Sequence, residues 1–479
     1  MNITEMNSAY PALCHEQIEA CEKSLADLLK KNHNLKIVVL DDDPTGTQTV
    51  HDIMVYTDWW QETLERAFSK PDRLFYILTN SRSFSSSKTA EVHREIAQNL
   101  CRASKAANIH FLLISRGDST LRGHYPLETQ TLKETIEKCM DVKFDGEIIC
   151  PYFKEGGRFT FENVHYVRIG EELIPAGETE FAGDKTFGYK SSHLGEWAEE
   201  KTGGAFKSDE LIYISLKEIR ALDFETIRLK LRLAKNFNKI ILNAVCDEDL
   251  KVVMPLIYEA IEDGKHFIFR TAASFVKAAG QISSRPLIHL SEFAQSAGAL
   301  KGIIVAGSHT KVTTSQLEML TTLPNIKMIE FNQHLVLEGE AAMSGEISRT
   351  AELCNCALLS GSSICLQTRR ERVDSGSGNK EDELKMAMDI SNAIVAVVKA
   401  VTVKPDFVVA KGGITSSEIA TKALGIKEAL VLGQVESGVP VWECGGESRF
   451  PGMPYVVFPG NVGSENSLLN IFKGDHINA

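Results

Sequence analysis

Short apolar runs alternate along this chain with stretches whose apolar positions recur at helical spacing. Between residues 15 and 31, Ile18, Cys21, Leu25, Leu28 and Leu29 share one helical face and predict a helix ahead of the first strand. The run Ile37-Val38-Val39-Leu40 reads as a strand buried on both faces, halted by Pro44 and Gly46. Further strand-like runs fall at 74–78, 111–114, 147–150, 211–216, 240–245 and 266–269, and a second series at 302–306, 326–331, 357–359, 407–410, 429–432 and 455–458. Strands alternating with amphipathic segments predict an α/β protein with mostly parallel sheets flanked by helices.

The two series are separated between about 284 and 301, where Arg285-Pro286 and the Ser/Ala/Gly-rich stretch 296–299 interrupt the pattern. We therefore expect two domains, 1–295 and 300–479, with the active site in the cleft between them. Residues 159–207 show little periodicity and are expected to form an irregular insertion or a lid, a surface excursion without function being the alternative. The stretch 374–382 is expected as an exposed loop.

A length of 479 residues fits two domains better than one core, and 43% hydrophobic with 24% charged residues is ordinary for a globular protein. The formal charge of −12, with no Lys/Arg run, excludes a nucleic-acid binder on electrostatic grounds. Ten scattered cysteines lack metal-ligand spacing and are expected as buried thiols in a reducing cytoplasm. No apolar segment approaches the roughly 20 residues that span a bilayer, so the expected location is cytoplasmic, with no membrane partner. Homo-oligomerisation is left open.

Chemistry concentrates where strands end. The first strand runs into Asp41-Asp42-Asp43-Pro44-Thr45-Gly46, placing three carboxylates at the carboxyl end of a strand, where ligands bind in open α/β sheets. Three adjacent carboxylates need a cation, a proton or a hydrogen-bonding substrate to relieve their repulsion. Other strand ends supply Ser81-Arg82, then Asp118 to His124, then Gly157-Arg158. Arg82, Arg122 and Arg158 are forks for an acidic substrate, internal pairing with the aspartates being the alternative for any one of them. His124 and His309 lack metal-ligand partners and are expected to form hydrogen bonds.

In the second series, glycine turns at 307–310, 411–416 and 459–464 follow strands. Such turns expose backbone N–H groups to anions, and three of them suit the phosphates of a nucleotide. Neither G-x-x-x-x-G-K-[ST] nor G-x-G-x-x-G after a strand is present, which points to phosphoryl transfer on a less common scaffold. That chemistry calls for a positioned hydroxyl, Mg²⁺, and a carboxylate to take the proton, for which Asp42, Asp43 and Asp118 are the candidates.

Together these residues resemble the four-carbon acid sugar kinases, ATP-dependent enzymes acting on threonate, erythronate or their 3-oxo forms. The resemblance spans about 36–472. It rests on Asp42, Asp43, Thr45 and Gly46, on Ser81 and Arg82, on the block Asp118 to Gly123, and on Gly157 and Arg158. It implies an N-terminal domain that binds the sugar acid and a C-terminal domain that binds ATP. ATP contacts would carry over to Ser308, Gly412, Gly413, Ile414, Thr415, Gly460 and Gly463. Ile414 stands where many relatives carry an acidic residue.

The resulting expectation is a kinase that transfers the γ-phosphate of ATP to a sugar-acid hydroxyl. Asp42 or Asp43 would act as base, with Asp118 as runner-up, and ATP and Mg²⁺ would be the cofactors. Two other readings are a dehydrogenase or aldolase acting on a similar acid, and a non-catalytic nucleotide-gated metabolite sensor.

Overall fold

The computed structural model describes residues 3–293, 300–307, 310–371, 373, 380–460 and 462–473. The chain divides into two compact units, Met1–Gly46 with Asp58–Ser284, and Thr47–Thr57 with Arg285–Ala479. Among the described residues, no helix is long and apolar enough to cross a membrane.

In chain order the strands begin with β1 (Leu35–Asp41), β2 (Ile53–Tyr56), which is part of the second unit, β3 (Leu74–Leu78), β4 (His110–Arg116) and β5 (Gly146–Cys150). Next come β6 (Arg158–Phe161), β7 (Val164–Ile169) and β8 (Glu172–Pro175), then β9 (Ile212–Ile214), β10 (Asn238–Leu242) and β11 (Phe267–Thr271). The first unit's main sheet has the order β3-β1-β4-β11-β5-β10-β9, and every adjacent pair is parallel. Every residue of β1, β3, β5 and β11 is buried, as continuous apolar runs in a parallel sheet require. The predicted first helix spans His15–Lys31, buries Cys21, Leu25, Leu28 and Leu29, and packs on helix Asp247–Glu262.

The second unit continues with β12 (Gly302–Ala306), β13 (Ile326–Phe331), β14 (Ser363–Thr368), β15 (Phe407–Lys411), β16 (Glu428–Glu436), β17 (Val439–Cys444) and β18 (Pro454–Phe458). Its strands are ordered β13-β14-β12-β15-β18-β17-β16-β2, parallel as far as β18 and antiparallel beyond it. Their core includes Ile304, Phe407, Val409, Val456 and Phe458 from the parallel strands, Val441 from β17 and Phe472 from the last helix.

Several expectations are corrected. Residues 159–207 are not irregular: β6, β7 and β8 form a separate antiparallel sheet, followed by helix Leu194–Lys201 over a core that holds Trp197 and Tyr189. The apolar stretch 357–359 is the last turn of helix Glu340–Leu359, whose buried positions Thr350, Ala351, Cys354, Ala357 and Leu358 follow helical spacing. The strand in that region is β14. The run 429–432 is the start of an antiparallel strand, and 211–216 divides at Ser215, which caps helix Leu216–Arg220 with a Ser/Glu capping box. Segment 47–57 goes with the second unit because β2 pairs with β16, and Leu290 lies in the second core. Of the expected loop 374–382, residues 374–379 lie outside the described residues and Lys380 opens helix Lys380–Ala400. The boundary stretch 296–299 also lies outside them.

Candidate active site

β1 is flanked by β3 and β4, so its carboxyl end lies between the loops that leave those two strands. Asp41 stands opposite Arg116 in the β1/β4 register, and the Arg116 Nη1 is 3.2 Å from the Asp41 carboxylate and 3.6 Å from that of Asp42. From the turn after β3, Arg82 grips Asp42 with two bonds, Nη2 to Oδ1 at 2.6 Å and Nε to Oδ2 at 3.2 Å. Its Nη1 lies 3.4 Å from Asp43 and 3.9 Å from Asp118. Asp43 accepts from the Thr45 amide at 2.9 Å and the Thr45 hydroxyl at 2.6 Å.

This arrangement separates the three carboxylates chemically. Burial pushes the Asp41 carboxyl up to about 7; Arg116 opposes the rise, and Asp42 and Asp43 reinforce it. Burial also acts on Asp43, but the Arg82 guanidinium and the Thr45 hydrogen bonds outweigh it and hold the group below the usual carboxylate range. A side chain at Gly46 would overlap the Asp41 carboxylate, so the turn requires glycine there.

The loop after β4 brings Asp118 and Arg122 to the same place. Arg122 Nε donates to Asp118 Oδ2 at 2.8 Å, the Thr120 hydroxyl donates to the same oxygen, and Arg122 Nη1 lies 3.8 Å from Asp184. Burial opposes ionisation of Asp118, yet Arg82 and Arg122 hold it well below the carboxylate range. Buried Arg270, paired with Glu128 at 3.1 Å, sits under this loop. A side chain at Gly117 would strike the Arg270 guanidinium. Glu128 also accepts from the Ser81 hydroxyl at 2.7 Å, tying the β3 and β4 loops together from below.

The small sheet closes the other side. His165 Nε2 donates to the Ser119 carbonyl at 2.8 Å while its Nδ1 accepts from Thr160 at 3.0 Å; burial lowers its pKa to about 4, so the ring is neutral. The Tyr189 hydroxyl donates to the Thr120 carbonyl at 2.7 Å. Phe181 lies against two guanidinium groups, Arg122 at 5.0 Å and Arg158 at 5.8 Å from its ring centroid.

Arg158 differs from the other arginines. Its Nε is buried without a hydrogen-bond partner, and among the described residues no carboxylate lies within ion-pair distance of it. Burial pulls its pKa down, Asp118 pulls it back up, and the nearby Arg122 and Arg168 add to the fall. Burying a cation without a partner is costly.

In the second unit the three glycine turns leave the adjacent strands β12, β15 and β18 and are joined to one another. Gly412 has φ of +116°, a glycine conformation, and its amide donates to the Phe458 carbonyl at 2.8 Å. Thr310 and Thr313 donate to the Gly460 carbonyl at 3.2 and 3.3 Å. A Cβ on Gly307 would come within 2.8 Å of the Thr415 hydroxyl, so those two turns touch. Gly413 and Thr415 are half-buried, Ile414 is 58% exposed, and Gly463 (φ +86°) packs on Ser467. Ser308 and His309 lie outside the described residues. Among the described residues no group of three or more His, Cys, Asp or Glu has metal-site geometry.

Comparison with known proteins finds two domain profiles along the chain. The profile of a sugar-binding N-terminal domain matches residues 37–279, and that of a nucleotide-binding C-terminal domain matches residues 303–468. The chain belongs to the four-carbon acid sugar kinase family. Two solved structures share the fold at low identity. A Haemophilus influenzae protein of the DUF1537 family superposes with a TM-score of 0.61 at 16% identity, covering 91% of this chain and 100% of its own. A Salmonella typhimurium LT2 protein, described provisionally as a tRNA synthase, gives 0.65 at 15% identity, covering 91% and 98%. No curated protein matches the chain.

In this family member, Asp42, Asp43, Thr45, Gly46, Ser81, Arg82, Asp118 and Arg122 come together at the end of β1, and Arg158 joins them through the Phe181 ring, which it shares with Arg122. Gly157 is buried against Arg168 with φ of +71°. Sequence reasoning missed Arg116, Glu128, Arg270, His165, Phe181 and Asp184. Arg116 could have been found from its place at a strand end. Phe181 and Asp184 carry no periodic signal.

Proposed function

We propose that the protein is an ATP-dependent kinase that transfers the γ-phosphoryl group to a hydroxyl of a four-carbon acid sugar of the threonate, erythronate or 3-oxo-tetronate type. The observation that carries this reading is Arg158, a half-buried guanidinium without a carboxylate partner beside a cluster of positioned aspartates. A sugar acid has the groups such a place lacks, a carboxylate for Arg158 and hydroxyls for the aspartates. Arg82 is engaged with Asp42, Asp43 and Asp118, so its role is to hold those carboxylates in place.

Asp43 is the best placed proton acceptor. Its side chain is 18% exposed against 3% for Asp42 and 11% for Asp118, and its Oδ2 has only a long contact with Arg82. In a loose phosphoryl-transfer transition state the hydroxyl proton leaves late, which suits an acceptor of low pKa. As the acceptor oxygen bonds to the γ-phosphorus, the bond to the ADP oxygen breaks and the proton passes to Asp43. The glycine turns of the second unit, with Gly413, Thr415, Gly460 and Gly463, fit the phosphates through their backbone amides, while the Gly412 amide, held by the Phe458 carbonyl, shapes the turn. Mg²⁺ would arrive with the nucleotide and neutralise charge on its phosphates.

The test is ADP release with Mg-ATP across D- and L-threonate, D- and L-erythronate and the 3-oxo acids. One isomer should stimulate strongly, and Asp43→Asn should lower that turnover by about two orders of magnitude or more. Equal ADP release with every acid and with none would sink the acceptor assignment. Near-normal turnover in Asp43→Asn would remove Asp43 from the mechanism.

A further inference from the structure

One buried cation of the second unit has no role in the reading above. Lys411 is the last residue of β15, is fully buried, and immediately precedes Gly412 and Gly413. Its Nζ donates to the Pro459 carbonyl at 3.1 Å and lies 3.9 Å from the centroid of the Phe458 ring. Lys411 therefore bridges the turn after β15 and the turn after β18, beside the Gly412 amide bond to Phe458. Among the described residues no carboxylate lies within ion-pair distance of it.

The surroundings supply no counter-charge. β12 and β18 contribute no charged side chain, and Tyr455 directs its hydroxyl to the Ser416 carbonyl at 2.5 Å. Glu418, at the end of helix Gly413–Glu418, is held by Ser391 and by Lys422, the latter at 2.8 Å. Lys311 and Glu318 belong to helix Lys311–Leu320 and face solvent. Burial is the cause that lowers the Lys411 pKa, to about 7. An ammonium has three donors, and a single carbonyl satisfies one of them. A lysine used only as a strut between two turns could be replaced by an apolar side chain at lower desolvation cost.

We propose that Lys411 is a further nucleotide-binding residue, whose ammonium supplies counter-charge to the phosphates beneath the glycine turns and takes up its proton as they bind. The inference rests on the nucleotide-binding reading of the second unit and adds proton linkage to it. A polyphosphate stabilises the charged form of Lys411, so the bound-state pKa lies above the free-state value. Net proton uptake then occurs between those two values. Affinity is full below about pH 7 and falls as pH rises above it, by up to about tenfold per unit while a whole proton is taken up.

Titration calorimetry of Mg-ADP binding at pH 8, in two buffers of different ionisation enthalpy, reads the uptake directly. The wild-type protein should take up close to one proton per site. Lys411→Arg, whose charge is permanent, should bind without uptake, and Lys411→Met should bind about tenfold or more weakly, also without uptake. Wild-type binding whose heat does not depend on the buffer overturns the proposal, and this needs no variant to fold. So does a Lys411→Met protein that keeps both affinity and uptake. If wild-type protein binds no Mg-ADP at any pH, the nucleotide-binding reading itself has failed and the inference falls with it.

Discussion

Three aspartates in a row at the end of β1 share two guanidinium groups, Arg82 and Arg116. The imbalance is relieved at Asp41, the deepest of the three, by a proton retained to about pH 7 against 3.8 for the free group. Because the folded state binds this proton more tightly than the unfolded chain, the penalty for ionising Asp41 is absent below about pH 4. It grows as pH rises and is complete above 7, reaching on the order of 4 kcal/mol. Asp41→Asn should therefore melt higher than wild type at pH 8 and show no such advantage at pH 4. A melting difference that is constant with pH would mean that Asp41 is already ionised. The arginines divide in a different way. Arg82→Met strips buried Asp42 of both its guanidinium hydrogen bonds and leaves it only the 3.6 Å contact with Arg116, so a loss of about 3 kcal/mol is expected in urea unfolding. Arg158→Met removes a guanidinium that pairs with no carboxylate, so stability should stay within about 1 kcal/mol while the KM for the sugar acid rises tenfold or more. Comparable destabilisation by both substitutions would contradict this division.

At the level of elements, the central parallel strands were legible because burial on both faces leaves a continuous apolar run: β1 and β12 lie where that run puts them, and the edge strand β13 was legible from Ile326, Ile329 and Phe331 despite exposed Lys327 and Glu330. β14 was hidden because Ser363, Gln367 and Thr368 dilute its pattern, while the apolar end of helix Glu340–Leu359 imitated a strand nearby. The clustering of Asp42, Arg82 and Asp118 was legible from strand ends alone, since neighbouring parallel strands deliver their loops to one edge. The support from the small sheet was not. His165 and Tyr189 reach the 118–123 loop through hydrogen bonds to carbonyls, which leave no trace in sequence periodicity. Tyr189→Phe removes the bond to the Thr120 carbonyl, so a cost of about 1 kcal/mol is expected, with the KM for the sugar acid raised and Mg-ADP affinity unchanged. An unaltered KM would show that the loop keeps its position without that bond.

On the scale of the whole chain, the second unit is discontinuous, and no periodic signal announces it. Segment Thr47–Thr57 supplies β2, which pairs with β16 from Ile53 opposite Val431 to Tyr56 opposite Glu428. The same segment satisfies groups that would otherwise be stranded. The buried Trp442 indole N–H donates to the Thr47 hydroxyl at 3.0 Å, Gln48 donates to the Gly438 carbonyl at 3.0 Å, and Arg285 pairs with Asp52 at 3.3 Å. A fragment cut at the boundary the apolar pattern suggests, 300–479, lacks all of these and exposes an unpaired edge of β16. Open strand edges recruit other chains, so that fragment should aggregate or melt well below the intact protein. Residues 285–479 carrying 47–57 through a flexible linker should be monodisperse and bind Mg-ADP with near-native affinity. Sedimentation and calorimetry on the two fragments separate the outcomes: if 300–479 alone is monodisperse and binds Mg-ADP as tightly as the fragment that carries 47–57, then β2 is dispensable to the nucleotide-binding unit.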